Sequence, residues 1–442
     1  MVKDRTSLDK VVVTADGDGV VSHAGSALLV GLADKIGLTA ALSDAMAPTR
    51  RRVSAHDPGV VLRDLAVMLA DGASSLSGLG AMRDQEALFG AVASDSTAYR
   101  VIDSIDQAGL ERLREAVAVA RGRAWVLGAA PKLVVMDFDA TLIEAFSRKQ
   151  GAKGTFKKGF GHHPLLCYLD GSREALAGVL RDGNAGSNTA ADHITVGDLA
   201  LAQLPAAALD GDIVARVDGA GATHEFTQWC RDARIAFSVG AAVTQDVLTE
   251  ALIIDDRAWK QALRQDGSED PDAFVCELTD RLNLKSWPAA TRLVCRSVRL
   301  AEGVQLGFGQ TDGFRYEVFL TDLAGDIRDR DLFQRGHARV EDRIRDAKDL
   351  GLRNLPFREF SNNEVWLLLV QIAQDLLAWS QALLLTGDLA RAEPATLRYR
   401  LWHTAAKLAR HARRTHLRLD RHWPWAGQLA AAFTRLQALP RT

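Results

Sequence analysis

The amino-acid sequence predicts an α/β core in which a mixed sheet is flanked by helices, with a β-rich insertion and helical N- and C-terminal regions. Three observations predict this fold class. Apolar residues recur at helical spacing in the first 128 residues, short apolar strands alternate with helical segments from Pro131, and helical spacing returns from Asp331 to the end. A chain of 442 residues also exceeds what one hydrophobic core usually supports, so we expect two or three structural units.

Residues 1–128 form the N-terminal region. A short strand is expected around Val11–Val13, and helices are expected in the stretches LLVGLADKIGLTAAL and VVLRDLAVMLADG, where apolar residues fall at 3.6-type spacing. The region is therefore predicted to be mostly helical.

The first part of the core is expected at residues 129–245. It opens with three strands, each bounded by Gly, Asp or Pro, in LVVMDFDATL, PLLCYLD and REALAGVLRDG. A helix, a strand, a helix and a strand follow in NTAADHITVGDLALAQL, DIVARVDG, Thr223–Arg234 and IAFSVG. These elements make an α/β layer with a partly antiparallel sheet. Their order suits a ribonuclease-H-like core.

The rest of the chain divides at residues 321 and 360. Residues 246–321 are predicted as the β-rich insertion, from the short apolar stretches LTEALIID, TRLVCRSVRL and FRYEVFL. Residues 322–360 are expected to continue the core, and residues 361–442 to form a basic helical C-terminal region. The most apolar stretch, Val365–Leu385, contains Gln371, Gln374 and Asp375, so we interpret it as a buried amphipathic helix rather than a membrane span.

Composition and charge predict a globular protein without membrane-spanning segments. Apolar residues make up 47% and charged residues 25% of the chain, which is ordinary for soluble domains. The net charge of −2 hides an asymmetry: residues 335–442 carry 18 Lys and Arg against 10 Asp and Glu, a local net charge of +8 that leaves −10 for the first 334 residues. A cationic C-terminal region is suited to binding phosphates, although solvated helix faces have the same composition.

The cysteines and the N-terminus bear on the cellular compartment. Cys167, Cys230, Cys276 and Cys295 lie far apart and form no CxxC pair, so neither a disulfide framework nor a zinc site is predicted. The opening MVKDRTSLDKVVVTADGD has no apolar core long enough for a signal peptide. We therefore expect a cytoplasmic protein.

Two apolar strands end in acidic residues. The run Leu133–Met136 leads into Asp137 and Asp139, which share one face because strand side chains alternate, and Ile213–Val217 leads into Asp218. Carboxylates at neighbouring strand ends are suited to share Mg²⁺, which prefers oxygen ligands. An Asp after a strand is also common in turns, so the pattern leaves both interpretations open.

A third acidic candidate lies on a helix at residues 335–348. Val340, Ile344 and Ala347 form an apolar stripe at i, i+4 and i+7. A separate polar row places one carboxylate among cations: His337, Glu341, Arg345 and Lys348. The row is suited to a metal ligand flanked by phosphate-binding groups, although by itself the pattern is more typical of a surface helix with i,i+4 ion pairs.

These three acids occur in stretches that resemble the DDE triad of bacterial insertion-sequence transposases, specifically the thirteen-eighty group. The stretches are VVMDFDATL around Asp137, VARVDGAGATHEF around Asp218 and HARVEDRIRDAKDLGLRNLPF around Glu341. Further similarity to this group is found in KGFGHHPLLCYLD, GNAGSNTAADH and RYRLWHTAAKLARHARR. The resemblance covers the chain from about residue 10 to residue 439.

The sequence departs from the related family signature around the third acid. That signature places a tyrosine and an arginine before the glutamate and a lysine after it. Glu341 and Lys348 match, whereas Gln334 occupies the tyrosine position and His337 the arginine position. Arg335 and Arg339 are the nearest cations that could replace the arginine.

The resemblance implies a metal-dependent active site in a ribonuclease-H-like core. Asp137, Asp218 and Glu341 would be the catalytic residues and would share two Mg²⁺ ions, with Mn²⁺ as a substitute. Phosphate and DNA contacts would come from Lys348, Arg345, His337 and Arg339, whereas Asp139 would orient a ligand or cap a turn.

The resemblance also implies the partners and the compartment. Such enzymes bind the terminal inverted repeats of their own element, pair the two ends in a homodimer, and transfer the freed 3′ hydroxyls to target DNA. By analogy, residues 1–128 would bind the DNA ends. The protein would lie in a bacterial cytoplasm, associated with the nucleoid when bound to DNA.

Two tryptophans in the predicted insertion, Trp259 and Trp287, are candidates for stacking on an unpaired base next to the cut. Tryptophan is more often a core residue, so packing is the competing interpretation.

Two alternative functions remain open from the sequence. The stretch VVMDFDATL also fits haloacid-dehalogenase-type phosphatases, with Asp137 as nucleophile, Asp139 as general acid and Thr141 as a phosphate contact, and Asp255-Asp256 resembles the late acidic motif of that family. That interpretation leaves Asp218 and Glu341 without a role. The other alternative is a catalytically dead transposase relic that binds DNA without cutting it.

Overall fold

The computed structural model describes residues 11–49, 55–186, 189–300, 310–311 and 313–440. The helices are α1 (Ser26–Lys35), α2 (Leu38–Ala45), α3 (Pro58–Ala70), α4 (Gly80–Arg83), α5 (Glu86–Phe89), α6 (Asp95–Asp103), α7 (Gln107–Ala124), α8 (Ala190–Ala202), α9 (Ala206–Leu209), α10 (His224–Asp232), α11 (Gln245–Ile253), α12 (Ile327–Arg335), α13 (Arg339–Ala347), α14 (Phe360–Leu383), α15 (Pro394–Leu397) and α16 (Ala426–Ala438). The strands are β1 (Val20–Val21), β2 (Val134–Ala140), β3 (Ile143–Glu144), β4 (Lys153–Gly154), β5 (Phe160–His162), β6 (Leu165–Leu169), β7 (Ala175–Val179), β8 (Ile213–Val217), β9 (Ala236–Ala241), β10 (Lys260–Leu263), β11 (Glu269–Glu277), β12 (Arg292–Arg299), β13 (Gln310–Thr311), β14 (Phe314–Thr321), β15 (Ala406–His411) and β16 (Arg414–Leu419).

A mixed sheet organises the molecule and confirms the predicted α/β class. Its strand order is β10-β11-β12-β14-β9-β8-β2-β6-β7, with β13 beside β14. Strands β2, β8 and β9 run parallel, whereas β6 is antiparallel to β2 and β7 is antiparallel to β6. Both faces of β2 are covered, which explains why its sequence is a continuous apolar run before the acids.

The segment at residues 246–321 extends this same sheet. Strand β14 pairs with β9, and β12, β11 and β10 follow outward from it. The strand expected in LTEALIID was wrong, because the chain forms α11 there, with Thr244 accepting a hydrogen bond from the backbone N–H of Val247 at 3.3 Å. A short apolar run does not distinguish strand from helix by itself, and the capping threonine followed by Asp246 in the first turn favours the helix.

Two apolar cores lie on opposite sides of the sheet. The larger one joins the N-terminal helices with α13 and α14, and the smaller one packs α8, α10 and α11 on the sheet. The predicted amphipathic helix at Val365–Leu385 is confirmed as the buried 24-residue helix α14. Within the described ranges, no single helix is long and apolar enough to cross a membrane, and one bent pair, α1 with α2, meets the length and composition criteria together.

The two ends of the chain differ from the expectation. Val11–Val13 is exposed and forms no strand. Among the described residues the first strand is β1, which pairs with β15. The C-terminal region is not helical throughout, because β15 and β16 form a hairpin whose turn residues Ala412 and Arg413 both have positive φ. This turn lacks the Asn-Gly or Asp-Gly sequence that usually marks a two-residue hairpin, so no local signal revealed it.

Candidate active site

The sheet brings two of the predicted acids side by side. Strands β2 and β8 are parallel, and their register runs from Val134 opposite Ile213 to Phe138 opposite Val217. The next residues along the two strands are Asp139 and Asp218. Because the strands advance together, these two carboxylates leave the sheet at the same edge.

The third acid reaches the same place from α13. Glu341 lies in the first turn of this helix, which packs against β2, while the predicted stripe of Val340, Ile344 and Ala347 is buried in the larger core. The pKa of Asp139 is raised to about 6, mainly by burial and also by the negative charges of Asp218 and Glu341, while His337 acts to lower it. The charges of Asp139, Asp218 and Glu341 thus act on one another at the end of β2, and we call these three residues the acidic cluster. Among the described residues, the group of three metal-binding side chains whose ligand atoms all lie within 4.8 Å of one another is a different one, His23, Asp71 and His403.

Asp137 has a different environment. It is 1% exposed and lies directly opposite Arg216, which is 0% exposed. Arg216 donates from Nε to Oδ1 at 2.6 Å and from Nη2 to Oδ2 at 2.7 Å, and His337 Nδ1 lies 3.2 Å from Oδ1. Both oxygens of Asp137 are thus engaged by protein groups, whereas Asp139 lies beside Asp218 at the ends of the two parallel strands.

Arg216 was missed by the sequence analysis. It also pairs with Asp170, Nη2 to Oδ2 at 2.9 Å, and donates to the backbone oxygen of Phe333. The available signal was an arginine inside the apolar strand IVARV, since a charge in a buried strand requires a partner.

The cations predicted to bind DNA fall into two groups. Arg339 donates from Nε to Asp170 at 2.6 Å, and Arg345 contacts both Asp342 and Glu393 at 3.0 Å. Lys348 is half-buried, its pKa lowered by burial and by Arg353, and it lines a cleft next to Asp139. Lys348 is thus the predicted phosphate-binding cation that faces the cleft.

Gln334, which replaces the tyrosine of the family signature, contacts the strands beside the candidate acids. Gln334 donates from Nε2 to the backbone oxygen of Val217 at 3.1 Å, immediately before Asp218. Its side-chain oxygen accepts from the Ser238 hydroxyl. The neighbouring Arg335 pairs with Asp331 at 3.0 Å.

The other predicted residues lie outside the acidic cluster. Trp259 and Trp287 are half-buried against the smaller core, where their rings face Tyr316 and His224 at centroid distances of 6.3 and 4.1 Å. Asp255 accepts from the backbone N–H of Arg257 at 2.8 Å and so caps a short turn. The late acidic motif of the phosphatase hypothesis thus has a local structural role.

The donor set fits a divalent cation of the Mg²⁺ class. Three carboxylates supply hard oxygen ligands from the ends of two strands and from a helix. Burial is the main cause of the raised pKa of Asp139, and the negative charges of Asp218 and Glu341 add to it, which a bound cation would oppose. The residues present thus fit the divalent metal ion that the sequence resemblance implies.

Comparison with known proteins identifies the family of this chain. The sequence profile described as "Transposase DDE domain group 1" matches residues 3–441. The fold is also similar to a piggyBac transposase in a synaptic complex with hairpin DNA, determined by cryo-electron microscopy, with 10% identity, a TM-score of 0.45, and coverage of 85% of this chain and 80% of that one. Among curated proteins, none matches. Because the family profile spans nearly all 442 residues, the chain belongs to the group 1 DDE transposases, enzymes that cleave and transfer DNA strands.

Proposed function

We propose that Asp139, Asp218 and Glu341 are the three carboxylates that hold the catalytic metal in this transposase, and that Asp137 positions the site through Arg216. The observation that carries the proposal is the register of β2 and β8, which puts Asp139 next to Asp218 and leaves Asp137 opposite a buried guanidinium. This assignment replaces Asp137 by Asp139 in the triad implied by the sequence resemblance.

The chemistry follows from the charges in the cluster. Two Mg²⁺ ions, with Mn²⁺ as a substitute, would activate a water or 3′ hydroxyl and stabilise the leaving oxygen. Lys348, which lines the cleft next to Asp139, would meet the negative charge that builds on the phosphate during attack. His337, in contact with Asp137, links the buried Asp137–Arg216 pair to this edge of the site.

The finer identity and the partners are also proposals, supported by the quoted motifs. The chain is assigned to the thirteen-eighty group of bacterial insertion-sequence transposases. Its DNA substrates are the terminal inverted repeats of its element and a double-stranded target, and residues 1–128 bind the ends. Two copies pair the ends in a synaptic complex in the bacterial cytoplasm.

The direct test is cleavage of labelled DNA that carries the ends flanking the gene, with Mg²⁺ present. Asp139→Asn, Asp218→Asn and Glu341→Gln are each expected to lower the cleavage rate by at least about a hundredfold, since each removes a metal ligand. Asp137→Asn is expected to retain more activity than Asp139→Asn. Asp342→Asn, next to Glu341 on the same helix, is the matched control and should cut like the wild type.

The outcomes separate the assignments. If Asp137→Asn folds normally and abolishes cutting while Asp139→Asn does not, Asp137 is the metal ligand and our assignment is wrong. If no version cuts and only small phosphate esters are hydrolysed, the phosphatase alternative replaces it. DNA binding with no cutting by any version identifies a relic.

A further inference from the structure

A small lobe follows directly after Asp139. Its three-stranded sheet has the order β3-β5-β4, with Ile143 opposite His162 and Gly154 opposite Phe160. We name residues 143–162 the phenylalanine lobe. The sequence analysis assigned no role to this segment.

Three large aromatic side chains of the phenylalanine lobe face outward. Phe146 is 95% exposed, Phe156 is 68% exposed and Phe160 is 42% exposed. All three line one cleft of about 600 Å³. Isolated exposed apolar residues are ordinary, but a cluster in a concave surface marks a binding site.

The cleft is cationic on the side that faces the active site. One wall of the cleft is formed by Lys348 and Arg353, which follow Glu341 along the chain. Lys157 lies on the lobe, with its Nζ 5.7 Å from the centroid of the Phe156 ring. Thr141, two residues after Asp139, also lines it. Among the described residues of this lining, Glu144 is the one acidic side chain, against three Lys and Arg.

The lobe is anchored in this position. The backbone N–H of Gln150 donates to the oxygen of Arg358 at 2.9 Å, and Lys149 donates to the oxygen of Leu355. His162 contacts the backbone oxygen of Gln150 at 3.0 Å from inside the lobe. The aromatic wall is therefore held against the segment that carries Lys348, so the cleft is largely preformed.

Aromatic faces beside cations suit a nucleotide, because its base stacks on an aromatic ring and its anionic phosphate pairs with a cation. In a duplex the faces of a base are covered by its neighbours, so phenylalanines that line a cleft stack best on a base that is unpaired and enters the cleft. A volume of about 600 Å³ lies within the range of pockets that enclose a small ligand, about 300–1,000 Å³.

We propose that the cleft binds one unpaired nucleotide of the DNA next to the scissile phosphate, with its base on Phe156 and Phe160 and its phosphate near Lys348 and Arg353. The inference rests on the proposed function, because the acidic cluster defines where the scissile phosphate lies. It places base stacking on the phenylalanine lobe and not on Trp259 and Trp287.

The test measures binding separately from cutting. Duplexes of the element end carry a single extrahelical 2-aminopurine, moved one position at a time across the cleavage site, and Glu341→Gln serves as the cleavage-deficient background. At one position the protein is expected to bind about tenfold more tightly than to the fully paired duplex, since stacking on an aromatic ring stabilises an unpaired base by that order. Adding Phe156→Ala should remove this preference, and adding Phe156→Trp should keep it.

A second comparison controls for folding. In the duplex for this comparison an abasic site replaces the extrahelical base, so Phe156 has no base to contact. If the Phe156 side chain acts by contacting the base, the protein with Phe156 and its Phe156→Ala variant should bind this duplex equally well. Trp287→Phe is the matched control and should leave the preference unchanged.

The inference would be overturned if the Phe156→Ala protein kept the same preference for the extrahelical base, or if no position of the base gave tighter binding than the paired duplex. Cleavage by the wild type would in either case still support the proposed function. Loss of the preference on Trp287→Phe but not on Phe156→Ala would assign the base to the insertion instead. Preference intact but no wild-type cutting would count against the proposed function alone.

Discussion

At the residue scale, the pair between Asp137 and Arg216 is the basis on which we propose Asp139 rather than Asp137 as a metal ligand. Both side chains are almost fully buried, and the guanidinium covers both carboxylate oxygens. Removing one partner of a buried ion pair leaves an uncompensated charge in a low-dielectric interior. Asp137 and Arg216 are therefore interdependent.

Arg216→Met is expected to lower the free energy of unfolding by about 3–5 kcal/mol, because Asp137 then lies buried without its guanidinium. The double variant Asp137→Asn with Arg216→Met should lose less than the sum of the single losses, since the two substitutions remove one interaction. Urea denaturation of the four proteins measures this coupling. Additive losses would show that the pair contributes nothing beyond its separate contacts.

At the element scale, the helix that carries Glu341 ends in a sharp kink. Gly351 has φ of 107° within the turn at Lys348–Leu352, and a Cβ there would come within 2.6 Å of Leu69 Cδ2. Glycine is therefore required both for the backbone conformation and for the approach of α3.

Gly351→Ala is expected to lower the free energy of unfolding by about 1–3 kcal/mol, which is the usual strain of a non-glycine residue in this region. Gly427→Ala is the control, because Gly427 lies in helix α16 with open space at its Cβ. That substitution should leave stability unchanged or raise it slightly, since alanine favours a helix. Thermal unfolding of both variants checks the difference, and equal effects would contradict it.

The ends of the chain are joined to α3 by a charged cluster. Asp71, at the end of α3, contacts His23 Nδ1 at 2.6 Å, the Ser26 hydroxyl at 2.6 Å and His403 Nε2 at 3.3 Å. The hydrogen bond to Asp71 raises the pKa of His403 above its usual value. Burial acts to raise the pKa of Asp71, but the hydrogen bonds from His23, His403 and Ser26 together outweigh burial and lower it.

The raised pKa of His403 and the lowered pKa of Asp71 determine how the stability of the protein changes with pH. The His403 contribution is fully present below about pH 6.5 and is lost as the pH rises through its folded pKa, whereas the Asp71 contribution is lost on acidification below about pH 4. His403→Gln is therefore expected to lower Tm more at pH 5.5 than at pH 8.5. Scanning calorimetry at the two values is the measurement, and a pH-independent difference would refute the protonated pair.

At the scale of the whole molecule, one buried network joins the helical layer to the sheet. Arg121 on α7 contacts Glu174 at 3.1 Å and Asp375 on α14 at 2.5 Å, all three with fully buried side chains, and Trp379 Nε1 also donates to Glu174 at 2.8 Å. Burial raises the pKa of Asp375 to about 8. The larger core is thus fastened to β7 through charges as well as apolar contacts.

Arg121→Met is expected to lower the free energy of unfolding by about 3–5 kcal/mol, because two carboxylates lose their cation in the interior. Arg100→Met, on the exposed face of α6, is the control and should stay within about 0.5 kcal/mol of the wild type. Chemical denaturation of the two variants tests this. Similar small losses would mean that the network contributes only packing.

The elements that carry the candidate acids were largely predictable from the sequence. The apolar stripe of α13 and the apolar strands before Asp139 and Asp218 were visible in local periodicity. The environments of Asp137 and Asp139 were not predictable, because both point to the same face of β2 and only the partner strand distinguishes them.

The sequence by itself was sufficient to predict the features that depend on neighbouring residues, because burial of one face imposes a period on the residues of each segment. These features are the α/β class, the strands that end in acids, the amphipathic helix α13 and the buried helix α14. The folded structure was needed for the features that depend on distant segments. Arg216 meets Asp137 across 79 positions of the chain, the hairpin at β15 and β16 forms against β1, and the phenylalanine lobe closes on Lys348. Such contacts arise from register and packing between elements, which no local pattern of residues encodes.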